Sequence, residues 1–128
     1  MLTRYDPESA PDPEAWLAGD FEELVRLIRR AHRRLRVELP KERVHAVFHL
    51  IVENQVAMGD DTPAAETLQR LMGEGLTRHE AIHAVGSVLA VHMNDLVAGE
   101  NDPAADPNDA YFRELRELTA ESWRRKFS

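Results

Sequence analysis

The chain has 128 residues, no cysteine and a formal net charge of −7, which bounds it to one domain with a core of ordinary size. Without thiols it has neither disulfides nor thiolate metal sites, leaving His, Asp and Glu as its strong side-chain ligands. The negative charge argues against nucleic acid or an anionic membrane as partner. No apolar run is expected to be long enough to span a bilayer. The polar, Pro-rich start lacks the apolar core of a signal peptide, so the cytoplasm is the expected location.

Taken in chain order, residues 1–12 read as an arm or loop and residues 13–128 as a single helical-bundle domain. A short amphipathic turn is expected over 13–18. Gly19-Asp20 interrupts it, and Asp20 is a good N-cap for a helix starting at Phe21. Leu24, Ile28, Ala31 and Leu35 recur on one stripe of that helix. Arg26, Arg29, Arg30, Arg33, Arg34 and Arg36 crowd it. They suit a solvated face paired with Glu22, Glu23 and Glu38 better than a patch for an anionic partner. Pro40 closes this helix.

A second helix is predicted over 41–58, ended by Gly59. Thr62 as N-cap and Pro63 at the first helical position start a third, which runs to the Gly73 region, and Gly75 permits a turn. Thr77-Arg78-His79-Glu80 is a capping-box sequence opening a long helix to about Ala98. Residues 99–106 are loop. Asn108 or Asp109 caps one last helix carrying Phe112, Leu115, Leu118 and Trp123, with Arg124, Arg125 and Lys126 at its C-terminal end. No strand or internal repeat is evident. The fold class is therefore all-α, a compact bundle of four to five helices.

Four of the six histidines fall in two short segments, His45-xxx-His49-xxx-Glu53 and His79-Glu80-Ala81-Ile82-His83. In a helix each step of four residues turns a side chain by about 40° and raises it by about 6 Å. His45, His49 and Glu53 thus form a slanting row at the border of the buried face, close to Val52 and Val56. His79 and His83 share a line that continues through Gly86, Ala90, Met93 and Val97, and the small residues at 86 and 90 let another helix approach.

Imidazoles buried without partners are costly, because each ring carries a donor and an acceptor. Two His pairs on neighbouring helices can instead hold one divalent ion. The candidate ligands are His45, His49, Glu53, His79 and His83, and imidazole with carboxylate suits zinc, iron, nickel or manganese. Glu80 is expected to cap its helix, and Gln55 to hydrogen-bond a ligand residue or simply to fill the polar edge of its helix. His32 and His92, standing alone, read as packed or surface groups. His79-Glu80-xx-His83 is also the HExxH string of zinc peptidases, in which the Glu is the general base. Capping competes for Glu80, and no strand is available to align a peptide. The carboxylate set of a di-iron bundle is incomplete, which favours a mononuclear site.

The stretch from His45 to Ala57, with Gln55-Val56-Ala57, followed by His79-Glu80-Ala81-x-His83, resembles a family of small uncharacterised bacterial helical proteins. That domain of unknown function carries HxxxHxxxHEQVA and HEAxH segments, and the likeness covers roughly residues 44–97. Glu53 stands where the family has a third histidine, and Asn54 where it has an acid. The resemblance implies a bacterial source and a helical fold, and no activity.

Three functions follow from the residues. The first is a metal-binding bundle with one His/Glu site shared by two helices, its reaction unnamed. The second is a helical interaction module with a structural or pH-sensitive histidine cluster. The third is a small HExxH-type hydrolase. A second copy of the chain is the one macromolecular partner left open, beside a small-molecule ligand of unknown kind.

Overall fold

The computed structural model describes residues 2–34, 42–99 and 106–127. They form seven α-helices joined by turns: α1 (Pro13–Leu17), α2 (Phe21–Arg34), α3 (Glu42–Ala57), α4 (Ala64–Gly73), α5 (Arg78–Ala98), α6 (Pro107–Glu117) and α7 (Ala120–Phe127). A 3-10 turn at Gly59–Asp61 links α3 to α4. The architecture is all-α, with more helices than the four to five expected. Closure at Pro40, the side chains of Leu35, Arg36 and Glu38, and most of the 99–106 loop lie outside the described residues.

Local chemistry accounts for most boundaries. Asp20 Oδ2 accepts from Glu23 N at the start of α2. Thr77 opens α5 with both arms of a capping box, and Gly99 ends it in the left-handed conformation at φ 72°, which glycine adopts without steric cost. The third helix begins one residue later than expected, with Pro63 as N-cap. Asp106 caps α6 by accepting from Asn108 N, with Pro107 at the first turn.

The single last helix expected from the sequence is two. Leu118 is extended (ψ 133°), and Thr119 Oγ1 accepts from Ser122 N to start α7. The break is held from outside by α4: Glu74 accepts from Ala120 N at 2.8 Å, and Arg70 donates to the Leu115 carbonyl at 3.1 Å.

Two apolar clusters share the interior. Trp16, Leu24, Val25, Ile28 and Leu50 centre one, between α1, α2 and α3. Val52, Leu68, Leu71, Ile82, Val85 and Leu115 centre the other, between α3, α4, α5 and α6. Helix α3 contributes to both, and α5 packs against it. The ion pairs of α2 run to α3, not to the glutamates of its own first turn as expected, and Arg34 turns to the Tyr5 carbonyl. Arg29 and Arg33 meet Glu42, and Glu22 meets Arg43.

Helix α5 corrects one expectation. With 21 residues and a mean hydropathy of 1.3 over its best window, it is long and apolar enough to cross a bilayer by length and composition. In this fold it packs against α3, α4 and α6. Among the described residues the far end of its apolar line is left open: Met93 is 40 % exposed and Val97 86 %.

Candidate metal centre

Three helices deliver histidines to one point. His32 comes from the last turn of α2, His49 from the middle of α3, and His79 and His83 from the first two turns of α5. One ring nitrogen from each of the four lies within 4.8 Å of all the others. The two sequence pairs are brought together as expected, and His32, which the sequence leaves as a lone packed or surface group, joins them. Its spacing gives no clue, because its partners are all on other helices. His45 stands beside the four, its ring centroid 4.8 Å from that of His83 and 6.1 Å from that of His32.

The hydrogen bonds fix which nitrogens are free. The Ile28 carbonyl can only accept, so His32 donates to it through Nδ1 at 2.8 Å and turns a lone pair on Nε2 toward the cluster. His49 is bonded at the opposite nitrogen. Its Nε2 lies 2.6 Å from the Tyr5 hydroxyl, and that hydroxyl donates to Glu53 Oε2. The phenol proton is therefore committed to Glu53, so His49 Nε2–H donates to Tyr5 and the lone pair sits on Nδ1. His49 Nδ1 and His83 Nε2 are both buried without a hydrogen-bond partner among the described residues. His79 Nε2 faces His32 Nε2 at 3.2 Å. Two lone pairs at that separation repel unless a proton or a cation lies between them.

Glu53 is not part of the four-nitrogen group. It is fully buried and forms a two-pronged ion pair with Arg78, Nη1 to Oε2 at 2.7 Å and Nη2 to Oε1 at 2.9 Å. Its place in register with His45 and His49 serves to hold Tyr5, and through Tyr5 to set the tautomer of His49. Gln55 points elsewhere, accepting from the Tyr111 hydroxyl at 2.7 Å and tying α3 to α6. His92 is buried and stacks on the Tyr111 ring. Glu80 accepts from Thr77 N at 2.9 Å as the reciprocal arm of the capping box, so a general-base role would require breaking the start of α5.

The arm before Pro13 is a strap over the centre. Tyr5 and Pro7 are buried. Arg34 donates to the Tyr5 carbonyl and Arg78 to that of Pro7, while Glu8 accepts from His79 N. Polar composition conceals this role in the sequence, because the two anchoring arginines are remote in the chain.

Comparison with family models, with curated proteins and with solved structures returns no match for this chain. The reading of the site therefore rests on its geometry.

Burial sets the electrostatics. Desolvation first, and neighbouring imidazoles second, hold His79 at about 4, His83 at about 3 and His49 well below the ordinary histidine value. Burial first, and the Glu53 carboxylate second, push the Tyr5 phenol well above its usual value, so it remains a hydroxyl. His49, His79 and His83 are thus available as neutral ligands or hydrogen-bond partners near neutral pH.

These shifts give a testable sign. Unfolded histidine titrates near 6.5, so between about pH 6.5 and 3 the unfolded chain binds more protons than the folded one and stability rises with pH. Chelator-treated protein is expected to hold its Tm above about pH 7 and to lose it steadily as the pH falls through about 6 to 4. A Tm that rises on acidification across that window contradicts the neutral cluster.

The four rings fit a divalent transition metal. With bonds of about 2.0–2.1 Å, tetrahedral nitrogen ligands stand about 3.3 Å apart. The His32–His79 pair is already at 3.2 Å. His49 and His83 supply buried ring nitrogens without a partner among the described residues, and the broad terminal torsion of histidine lets rings close the remaining gap. His32 and His49 each donate their other ring nitrogen to an anchor, the arrangement that orients metal-ligating imidazoles.

A cavity of about 260 Å³ adjoins the centre. His45, His49 and His83 form part of its wall, and Phe48, Gly86, Ala90 and Val91 line the rest with Ile82 and Ser87. The small residues at 86 and 90 leave this space as well as admitting α3. A Cβ on Gly86 would meet only Val52, at 3.9 Å.

Proposed function

We propose that this protein is a metal-binding helical protein with one mononuclear centre held by His32, His49, His79 and His83, with His45 at its edge. The observation that carries this reading is the pair of buried ring nitrogens, His49 Nδ1 and His83 Nε2, without a partner among the described residues, in histidines that share one four-nitrogen group with the His32–His79 contact. Leaving a buried polar atom unsatisfied costs about 1–3 kcal/mol, and one ion satisfies all of them at once. Zinc, iron and nickel are among the metals whose chemistry fits an all-imidazole set. Elemental analysis of protein purified without a histidine tag is expected to find about one such ion per chain. Metal well below stoichiometry after incubation with zinc, iron and nickel salts in turn would sink the proposal.

The Tyr5 relay gives a finer test. In Tyr5→Phe, His49 Nε2–H loses its acceptor and the tautomer that presents Nδ1 is no longer selected. Loss of such an orienting partner typically weakens metal binding by about 10–100-fold. Competition with a calibrated chelator measures this, and an affinity equal to wild type contradicts the relay.

One observation favours a metal-free histidine cluster instead. The His32–His79 contact is also a good length for an N–H···N hydrogen bond. That reading leaves His49 Nδ1 and His83 Nε2 unsatisfied, which the metal reading does not. The resemblance to small bacterial helical proteins and a cytoplasmic location stay with the proposal as its expected biological setting.

A further inference from the structure

The cavity beside the centre has a chemical polarity of its own. Along α5 its wall runs from His83 to Ala90, about 10 Å of helix. One end is imidazole and the other apolar, with Phe48, Ala90 and Val91 contributing no polar side-chain atom. Ser87, the one hydroxyl in the wall, already donates to the His83 carbonyl at 2.9 Å. No carboxylate or ammonium side chain lines the space.

Charge decides what belongs at the imidazole end. Four neutral histidines leave a divalent ion with its full charge. Glu53 does not offset it, because its carboxylate is matched by Arg78. Glu8 and Glu80 act on His79 from outside the cavity, so they offset the ion only in part. The positive charge that remains in a largely desolvated site favours an anion. The cavity supplies space for one with an apolar body. An apolar cavity of about 150 Å³ accommodates benzene, so this one has room for a short chain or ring with its head group.

We propose that the cavity binds a small apolar carboxylate, its head at the wall formed by His45, His49 and His83, toward the ion held behind them, and its body along Phe48, Gly86, Ala90 and Val91. This rests on the metal-centre reading. The head adds a negatively charged oxygen to a nitrogen-only set, and the body displaces water from a wall that cannot hydrogen-bond it. Each methylene buried is expected to tighten binding about fourfold.

Isothermal titration of acetate, octanoate and octanol into zinc-loaded and metal-free protein separates head from body. Octanoate is expected to bind the zinc form at least about tenfold more tightly than acetate or octanol, and about tenfold more tightly than it binds the metal-free form. Ala90→Phe, which fills the apolar end, is expected to lose octanoate about tenfold while keeping zinc and acetate affinity. Val91→Phe serves where Ala90→Phe disturbs zinc uptake, since Val91 is 41 % exposed. Cobalt substitution adds a spectroscopic readout, a change in the ligand-field bands on adding octanoate. Octanoate binding no tighter than acetate, or equal with and without zinc, overturns this inference alone. A protein that takes up no divalent metal overturns both readings.

Discussion

Arg78→Met is expected to destabilise the protein by about 3–5 kcal/mol, the usual result of leaving one member of a buried ion pair without its partner. The Arg78 side chain is 4 % exposed and that of Glu53 is fully buried. Methionine fills much of the same space and removes the charge and all five donors. Glu53 would keep only the Tyr5 hydroxyl, and the Pro7 carbonyl would lose the guanidinium that binds it. For a chain of this size such a loss lowers Tm by about 10–20 °C. The double variant Arg78→Met, Glu53→Leu should recover a large part of that loss, because replacing both charges by apolar groups removes the stranded carboxylate. Denaturant titration measures both variants. A single variant within about 1 kcal/mol of wild type would show that the pair does not organise the strap over the centre.

The second large effect is on metal. His49→Ala, His83→Ala removes the two buried ring nitrogens that have no partner among the described residues. With half the donors gone, binding is expected to fall from about one ion per chain to none at micromolar metal. His49 is buried and His83 half-buried, so some stability goes as well, and far-UV circular dichroism must show that the helices persist. Unchanged metal content in a folded double variant would mean that the ion sits elsewhere.

Much of this was legible in the sequence, for identifiable reasons. The capping box at Thr77 and Glu80, the Asp20 cap and Gly99 are local signals, and each is used as its chemistry suggests. His49, His79 and His83 could be paired because one helical turn separates members of a pair and both segments border a buried face. Local signals could not report contacts made across the fold. His32 reaches the centre from a third helix, and Tyr5 from an arm whose polarity conceals its burial. Glu53 shows a related gap: its register with His45 and His49 is real, but register does not report that Arg78 pairs with both its oxygens. The break at Leu118–Thr119 is similar, since the Arg70 and Glu74 contacts that hold it come from α4.

The strap also links stability to the centre. Tyr5, Glu53 and Arg78 form one buried chain from the α5 N-terminus to the His49 ring. Changes at Arg78 therefore reach His49 through Glu53 and Tyr5, and metal affinity should fall together with stability in Arg78→Met.

The most direct test of the central claim is an anomalous-scattering map from crystals of untagged protein grown with zinc, iron or nickel. The account predicts one strong peak about 2.0–2.2 Å from nitrogens of His32, His49, His79 and His83, with the Tyr5–Glu53 anchor in place. A map with no peak there, and with His32 and His79 still hydrogen-bonded ring to ring, would contradict it.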